Sequence, residues 1–243
     1  NNMEAAQTRT PEEIEADIKK TKAETIKVEA EAAKAAAECL QAETKAEKAS
    51  LELLRFKEER QKRLASDEEN CVYRFSGSVG KESVRGCREK LTEWARLTPG
   101  CDIEIVFASG GGSIIDGFEL FDYIQQLRSE GHKITTGALG MAASMAGILL
   151  QAGDKRWLGH QSWLMIHRAA FGAIGKTFEI EDEVAWIKRI EQRIIDIFTS
   201  RSKLSRLKIK RNWDRKDWWI TADEALELGL VDEIKGKLKE YED

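Results

Sequence analysis

From Pro11 to about Ser66 the chain carries no glycine and no second proline, and its apolar positions are scattered among Ala, Glu and Lys. Thr10-Pro11-Glu12-Glu13 is a helix start: a threonine N-cap, proline at the first helical position, and a glutamate three residues on that completes a capping box. The pattern predicts one helix of roughly 55 residues, about 80 Å long at 1.5 Å per residue. Ile26, Ala30, Ala33, Ala37, Leu40, Thr44, Glu47, Leu51 and Leu54 follow an alternating four-three spacing. The seam is heptad-like but Ala-rich, and Glu47 interrupts it. Such a helix cannot bury itself, so it is expected to pack on a second copy or a partner. The bland alternative is a frayed, solvated helical tail.

At Cys71 the period changes. Cys71-Val72-Tyr73-Arg74-Phe75 alternates as a strand does and runs to Gly77 and Gly80. Helical spacing follows over 81–97, then a Pro99-Gly100 turn and a second strand, Ile103 to Phe107. A helix over 115–130, a strand over 133–138, a helix after Ser144, strands over 155–158 and 163–166, and a long helix over 177–201 continue the alternation. Strands alternating with helices argue for a mainly parallel α/β fold. The organisation read from the chain is a disordered segment over 1–10, the charged helix over 11–68, a globular domain over 69–236 and a tail over 237–243.

Charge adds little to this. Net charge is -4 and the isoelectric point is near 5.7, so nucleic acid is not expected as a partner. The basic stretch from Lys203 to Lys216 has no aromatic platform apart from Trp213 and reads as a solvated face. Cys39, Cys71, Cys87 and Cys101 form no CxxC pair and no ligand spacing with the three histidines. They read as reduced thiols of a cytoplasmic protein, with neither metal nor cofactor expected. No apolar run reaches membrane-spanning length, and no signal-peptide core is seen, so a membrane partner is not expected either.

The candidate chemistry is concentrated in three places. Ser144 lies in Gly140-Met141-Ala142-Ala143-Ser144-Met145-Ala146-Gly147, where small neighbours would let a carbonyl approach its hydroxyl. With a helix beginning after it, free backbone N–H groups would favour a developing negative charge. Gly110-Gly111-Gly112, between a strand and a helix, is a phosphate cradle or an oxyanion loop; no Lys-Ser/Thr pair follows and GxGxxG is absent, which disfavours nucleotide. His167 ends the apolar strand Trp163-Leu164-Met165-Ile166, whereas His132 and His160 stand beside glycines and read as exposed loop residues. Asp214, Asp217, Asp223 and Asp232 are acids that could orient His167, and residue chemistry does not separate Asp217 from Asp214. Together these residues form a candidate Ser-His-Asp system.

Four blocks in order then resemble the ClpP family of serine peptidases: Ala108-Ser109-Gly110-Gly111-Gly112-Ser113, Gly140 to Met145, Met165-Ile166-His167, and Asp217 to Asp232 (DWWITADEALELGLVD). The resemblance covers Cys71 to Ile234. It implies the ClpP/crotonase-like spiral of β-β-α units, preceded here by the long N-terminal helix. It also implies Ser144 as nucleophile, His167 as general base, Asp217 rather than Asp214 as the acid, and the N–H groups of Gly111 and Met145 as oxyanion donors. A polypeptide substrate would add as a strand along Gly110, Gly112, Gly172 and Gly175. Helix 177–201, with its stripe Ile180, Val184, Ile187, Ile190 and Ile194, would be the helix through which two rings stack, in a homo-oligomer of heptameric or stacked rings. Gly110 stands where the family usually has proline, and Arg168-Ala169-Ala170 stands where a proline usually follows the histidine. The added helix resembles those of phage enzymes that process capsid and scaffold proteins. The other readings are a proteolytic subunit serving an AAA+ ATPase, a crotonase-like acyl-CoA enzyme, and a structural pseudoprotease.

Overall fold

In the computed structural model, residues 9–170, 172, 174–214 and 216–237 are described. The expected disorder over residues 1–8, the tail beyond Lys237 and Arg215 of the basic stretch lie outside them. The chain divides into two units, 1–63 and 64–243. The first is helix α1, Pro11–Leu64, which has no buried residue. Its start is the expected capping box: Glu13 N–H donates to Thr10 Oγ1 (3.3 Å) and Thr10 N–H donates to the Glu13 carboxylate (2.9 Å).

The second unit is built on a seven-stranded sheet. Strands β1 (Val72–Ser76), β2 (Asp102–Ser109), β3 (Lys133–Ala143), β4 (Lys155–Gly159) and β7 (Glu233–Lys235) run parallel in the order β1-β2-β3-β4-β7. Helices α2 (Lys81–Leu97) and α3 (Ile114–Ser129) connect the first three strands. Strand β3 is longer than the sequence pattern predicts and pairs twice. Thr135–Ala138 pairs with β4, and Met141–Ala143 pairs with β5 (Trp163–Ile166). Gly140, at φ 74°, lies between the two pairings, and its N–H donates to Ser162 Oγ (3.0 Å). The same strand thereby pairs with β4 along its first part and with β5 along its last.

Strand β6 (Trp218–Thr221) pairs antiparallel with β5. Helix α4 (Met145–Leu150) is apolar on every side and all six residues are buried, between the sheet and helix α5 (Thr177–Arg201). Phe75, Phe107, Leu120, Ile134, Leu149 and Phe198, all at most 1% exposed, anchor one continuous core. Helices α6 (Arg206–Trp213) and α7 (Ala222–Glu227) close the domain.

One expectation needs correction. His132 is not an exposed loop residue: it is 5% exposed, with Nδ1 3.1 Å from the Cys101 carbonyl oxygen. His160 is also partly covered. The basic stretch does form a solvated face, on helix α6, which buries Ile209 and Trp213 and leaves its Lys and Arg residues at the surface.

Candidate active site

Ser144 occupies the junction between β3 and α4 with φ 54° and ψ -123°. This conformation is strained for a residue with a side chain, and it lifts the hydroxyl out of both elements. The junction is held because Ser144 N–H donates to the Met165 carbonyl (2.9 Å), which fixes the end of β3 to β5. The small neighbours have a packing role that differs from the one expected. Ala142, Ala143, Ala146 and Gly147 are all buried. A Cβ on Gly147 would sit 3.1 Å from Leu164 Cδ1 and 3.2 Å from the Ala142 carbonyl. Larger residues would push α4 off the sheet and move Ser144 with it.

His167 follows the last residue of β5 and is half-buried. Its Nε2 lies 2.6 Å from Ser144 Oγ, within hydrogen-bond distance. Asp217 immediately precedes β6, and the antiparallel β5–β6 ladder brings it to the other side of the ring. Its Oδ1 is 3.6 Å from His167 Nδ1, longer than a hydrogen bond, and its side chain is 55% exposed. Asp214 goes elsewhere. Its carboxylate lies 3.7 Å from the Arg168 guanidinium, which donates two bonds to Glu191 (2.9 and 3.1 Å). Those Glu191 hydrogen bonds and charge raise the Arg168 pKa above its ordinary value.

The glycine loop folds back over Ser144. Gly111, at φ 94°, is so close that a Cβ would lie 2.6 Å from Ser144 Cβ and 2.9 Å from the Met145 nitrogen. Its own N–H donates to the buried Ser109 hydroxyl (3.1 Å). Val79 bridges to Gly112 in parallel fashion, taking the Gly111 carbonyl (2.9 Å) and the Ser113 N–H (2.8 Å). In such a bridge the intervening residue turns its own N–H away from the partner, so the Gly112 N–H faces the opposite side. Gly112 lines a cleft with Ser144 and His167 whose apolar wall is Ile114, Met145, Ile148, Ile166, Ile194 and Phe198. Gly110 and Gly172 have open space where a side chain would be, and Gly175 lies under the Glu179 carboxylate before α5.

Sequence reasoning missed three supports of this site. Gly117 of α3 leaves room for the Met145 side chain, which a Cβ there would meet at 2.2 Å. The Ser109 hydroxyl ties the glycine loop, and the Arg168–Glu191 pair fixes the chain after His167 to α5. Only the second carried a signal, as the polar residue just before three glycines. Among the described residues no group of three or more His, Cys, Asp or Glu is placed to hold a metal ion, and no helix is long and apolar enough to cross a membrane.

A family model described as Clp protease matches residues 61–237. The chain is 38% identical over 141 residues to the ATP-dependent Clp protease proteolytic subunit of Porphyromonas gingivalis, covering 57% of this chain and 62% of that protein. It is 38% identical over 140 residues to the Bacteroides fragilis protein of the same name, covering 57% and 66%. It is 34% identical over 164 residues to the ATP-dependent Clp protease proteolytic subunit 1 of Chlamydia abortus, covering 66% and 83%. The chain thus spans less than two thirds of the length of the first two relatives.

Proposed function

The chain belongs to the Clp protease family, and from that premise we propose that it is a serine-type endopeptidase working through Ser144, His167 and Asp217. The 2.6 Å separation of Ser144 Oγ and His167 Nε2 carries the reading. Ser144 attacks a peptide carbonyl while His167 takes its proton. The tetrahedral oxygen is held by two backbone N–H groups: that of Met145, at the start of α4, and one from the glycine loop. Gly112 suits the second role better than Gly111, whose N–H is already given to Ser109. His167 then passes its proton to the leaving amine, and water releases the acyl group from Ser144 by the same proton path. Asp217 orients the imidazole once it closes by about half an ångström, a tightening common between free and substrate-bound sites. The apolar cleft beside Ser144 suits an apolar side chain on the acyl side of the cut bond, with the substrate laid as a strand along the glycine loop.

A fluorophosphonate probe tests this. Labelling of the native protein, no labelling of Ser144→Ala and weak labelling of His167→Ala are the expected results. Absence of labelling in the native, assembled protein would instead identify a pseudoprotease. A homo-oligomeric ring is part of the proposal. The names of the relatives favour a proteolytic subunit serving an AAA+ ATPase. Helix α1, which lies almost wholly before the matched residues, favours the capsid- or scaffold-processing role. ATP-dependent degradation of a folded substrate with a co-purifying ATPase would decide for the first.

A further inference from the structure

Helix α1 carries one uncharged face and one largely uncharged face, and we infer that it docks side by side with the α1 helices of further copies of this chain, all pointing the same way, in a head-to-tail cyclic array. The first face runs without a charge at four-three spacing from Ile14 to Phe56. Ile14, Ile18, Val28, Leu53 and Phe56 lie toward its ends, with Thr, Ala and Cys39 between. The second is a column at seven-residue spacing, Ala16, Ala23, Ala30, Ala37, Thr44 and Leu51, widened by Ile26, Ala33, Leu40 and Leu54. Lys19 and Glu47 are charged positions in this second face. In a heptad frame the centres of the two faces stand about 150° apart around the helix. Both are bare: Ile26, Val28, Leu40 and Phe56 are 63–66% exposed.

The charges select the occupant and its direction. Asp17, Glu24, Glu31, Glu38, Glu52 and Glu59 share one heptad column, broken only by Lys45, and this column borders the first face. Lys20, Lys27, Lys34, Lys48, Arg55 and Lys62 share the neighbouring column, broken only by Gln41, and this one borders the second face. When the first face of one copy meets the second face of a parallel neighbour, the acidic column of one runs beside the basic column of the next. Twofold pairs mix attraction with repulsion. A parallel pair through the second face sets Glu15, Glu29 and Glu43 beside Lys20, Lys34 and Lys48 but Lys22 and Lys57 against Lys27 and Lys62. One through the first face gains Asp17–Lys22 and Glu52–Lys57 only against like charges. A parallel pair through the first face sets Glu24 against Glu29 and Glu38 against Glu43 of the partner, and an antiparallel pair aligns the two acidic columns. An antiparallel pair through the second face aligns the two basic columns. Flanking charges of this kind decide partner and orientation in helical assemblies. A contact that uses different faces on the two partners repeats, and it closes into a ring when the rotation allows. The seam from Ile14 to Phe56 is about 64 Å long at 1.5 Å per residue, so many weak Ala contacts add along it.

Oxidative cross-linking of the full chain tests this independently of any peptidase activity. In a Cys71→Ser, Cys101→Ser background, Cys39 is the one thiol on α1 and lies on the first face; Cys87 is buried. Second-face cysteines are then added singly as Ala33→Cys, Ala37→Cys or Leu40→Cys, with circular dichroism confirming retained helix. Cys39 alone should stay monomeric on a non-reducing gel, and at least one of the three double-thiol chains should give a ladder beyond dimer. Adding Glu31→Lys and Glu38→Lys should weaken that ladder several-fold, and Lys27→Glu with Lys34→Glu in the same chain should restore it. Dimers from Cys39 alone would overturn the proposal in favour of a twofold pair. Folded double-thiol chains that all stop at monomer or dimer would overturn it as well.

Discussion

Ser144 and its neighbours carry their consequences at the level of single backbone angles. At φ 54° and ψ -123°, a residue with a Cβ costs about 1–3 kcal/mol that glycine escapes. Glycine also loses about 0.5–1 kcal/mol through the greater freedom of its unfolded chain. The relief of strain outweighs that loss, so Ser144→Gly should be more stable than Ser144→Ala by about 1 kcal/mol, and both should be inactive. Urea denaturation of the two variants checks this, and equal midpoints would mean that the junction stores no strain. The adjoining loop gives a contrast one residue apart. Gly110 has no positive φ and open space beside it, so Gly110→Ala should keep activity and gain about 0.4–1 kcal/mol. Gly111→Ala would drive a methyl to 2.6 Å from Ser144 Cβ, and fluorophosphonate labelling should fall at least tenfold. At this scale Ser144 and His167 were legible in the sequence, because a hydroxyl before a helix and an imidazole after an apolar strand are local patterns. Which acid lies beside the imidazole was not legible from residue chemistry. It depends on Arg168, beside which Asp214 lies, and on the β5–β6 ladder, which carries Asp217 to the imidazole.

Between elements, the domain is tied at its closing edge by Arg156. Its side chain is 5% exposed and donates to Asp232 (2.7 and 3.0 Å), to Gln151 (2.7 Å) and to the Arg201 carbonyl at the end of α5 (2.8 Å). Burial pushes the Asp232 carboxyl up, but the Arg156 hydrogen bonds and charge outweigh it and hold the group below its usual value. A carboxyl whose folded pKa is depressed contributes stability above its unfolded pKa, near 3.9, and loses it as pH falls through the folded value. Asp154, held low against its own desolvation by Arg128 and the Ile134 N–H, adds to the same window. Unfolding free energy should therefore decline from about pH 5 downward. Asp232→Asn should flatten part of that decline while lowering stability at pH 7, as urea titrations at several pH values would read. Strands and helices with strong periodicity, from β1 to α5, were legible in the sequence. Strand β6 was not, because Trp218-Trp219-Ile220-Thr221 is four residues long and owes its existence to pairing with β5. Helix α6 was hidden for a related reason: only Ile209 and Trp213 of its eight residues face inward, too few to show a period among Lys and Arg.

For the whole molecule, the division of α5 is the feature that bears on assembly. The stripe Ile180, Val184, Ile187, Ile190 and Ile194 reads as one face in sequence, yet the fold uses only its C-terminal part. Ile187, Ile190 and Ile194 are buried with Phe198, whereas Phe178 (58%), Ile180 (37%) and Trp186 (43%) remain exposed. Periodicity reports that a helix has an apolar face, and it does not report which neighbour covers each turn. Large apolar side chains left exposed on one half of a helix suit an interaction surface, and stacking of two rings through this helix would cover them. Phe178→Glu with Ile180→Glu should then leave thermal stability nearly unchanged, because neither side chain is in the core. The assembled mass read by light scattering should fall to about half if these residues join two rings. Ile190→Glu is the control in the other direction, since a charge placed in the core should unfold the domain outright. A double variant that keeps both its mass and its melting point would show that the exposed half of α5 is not an interface between copies.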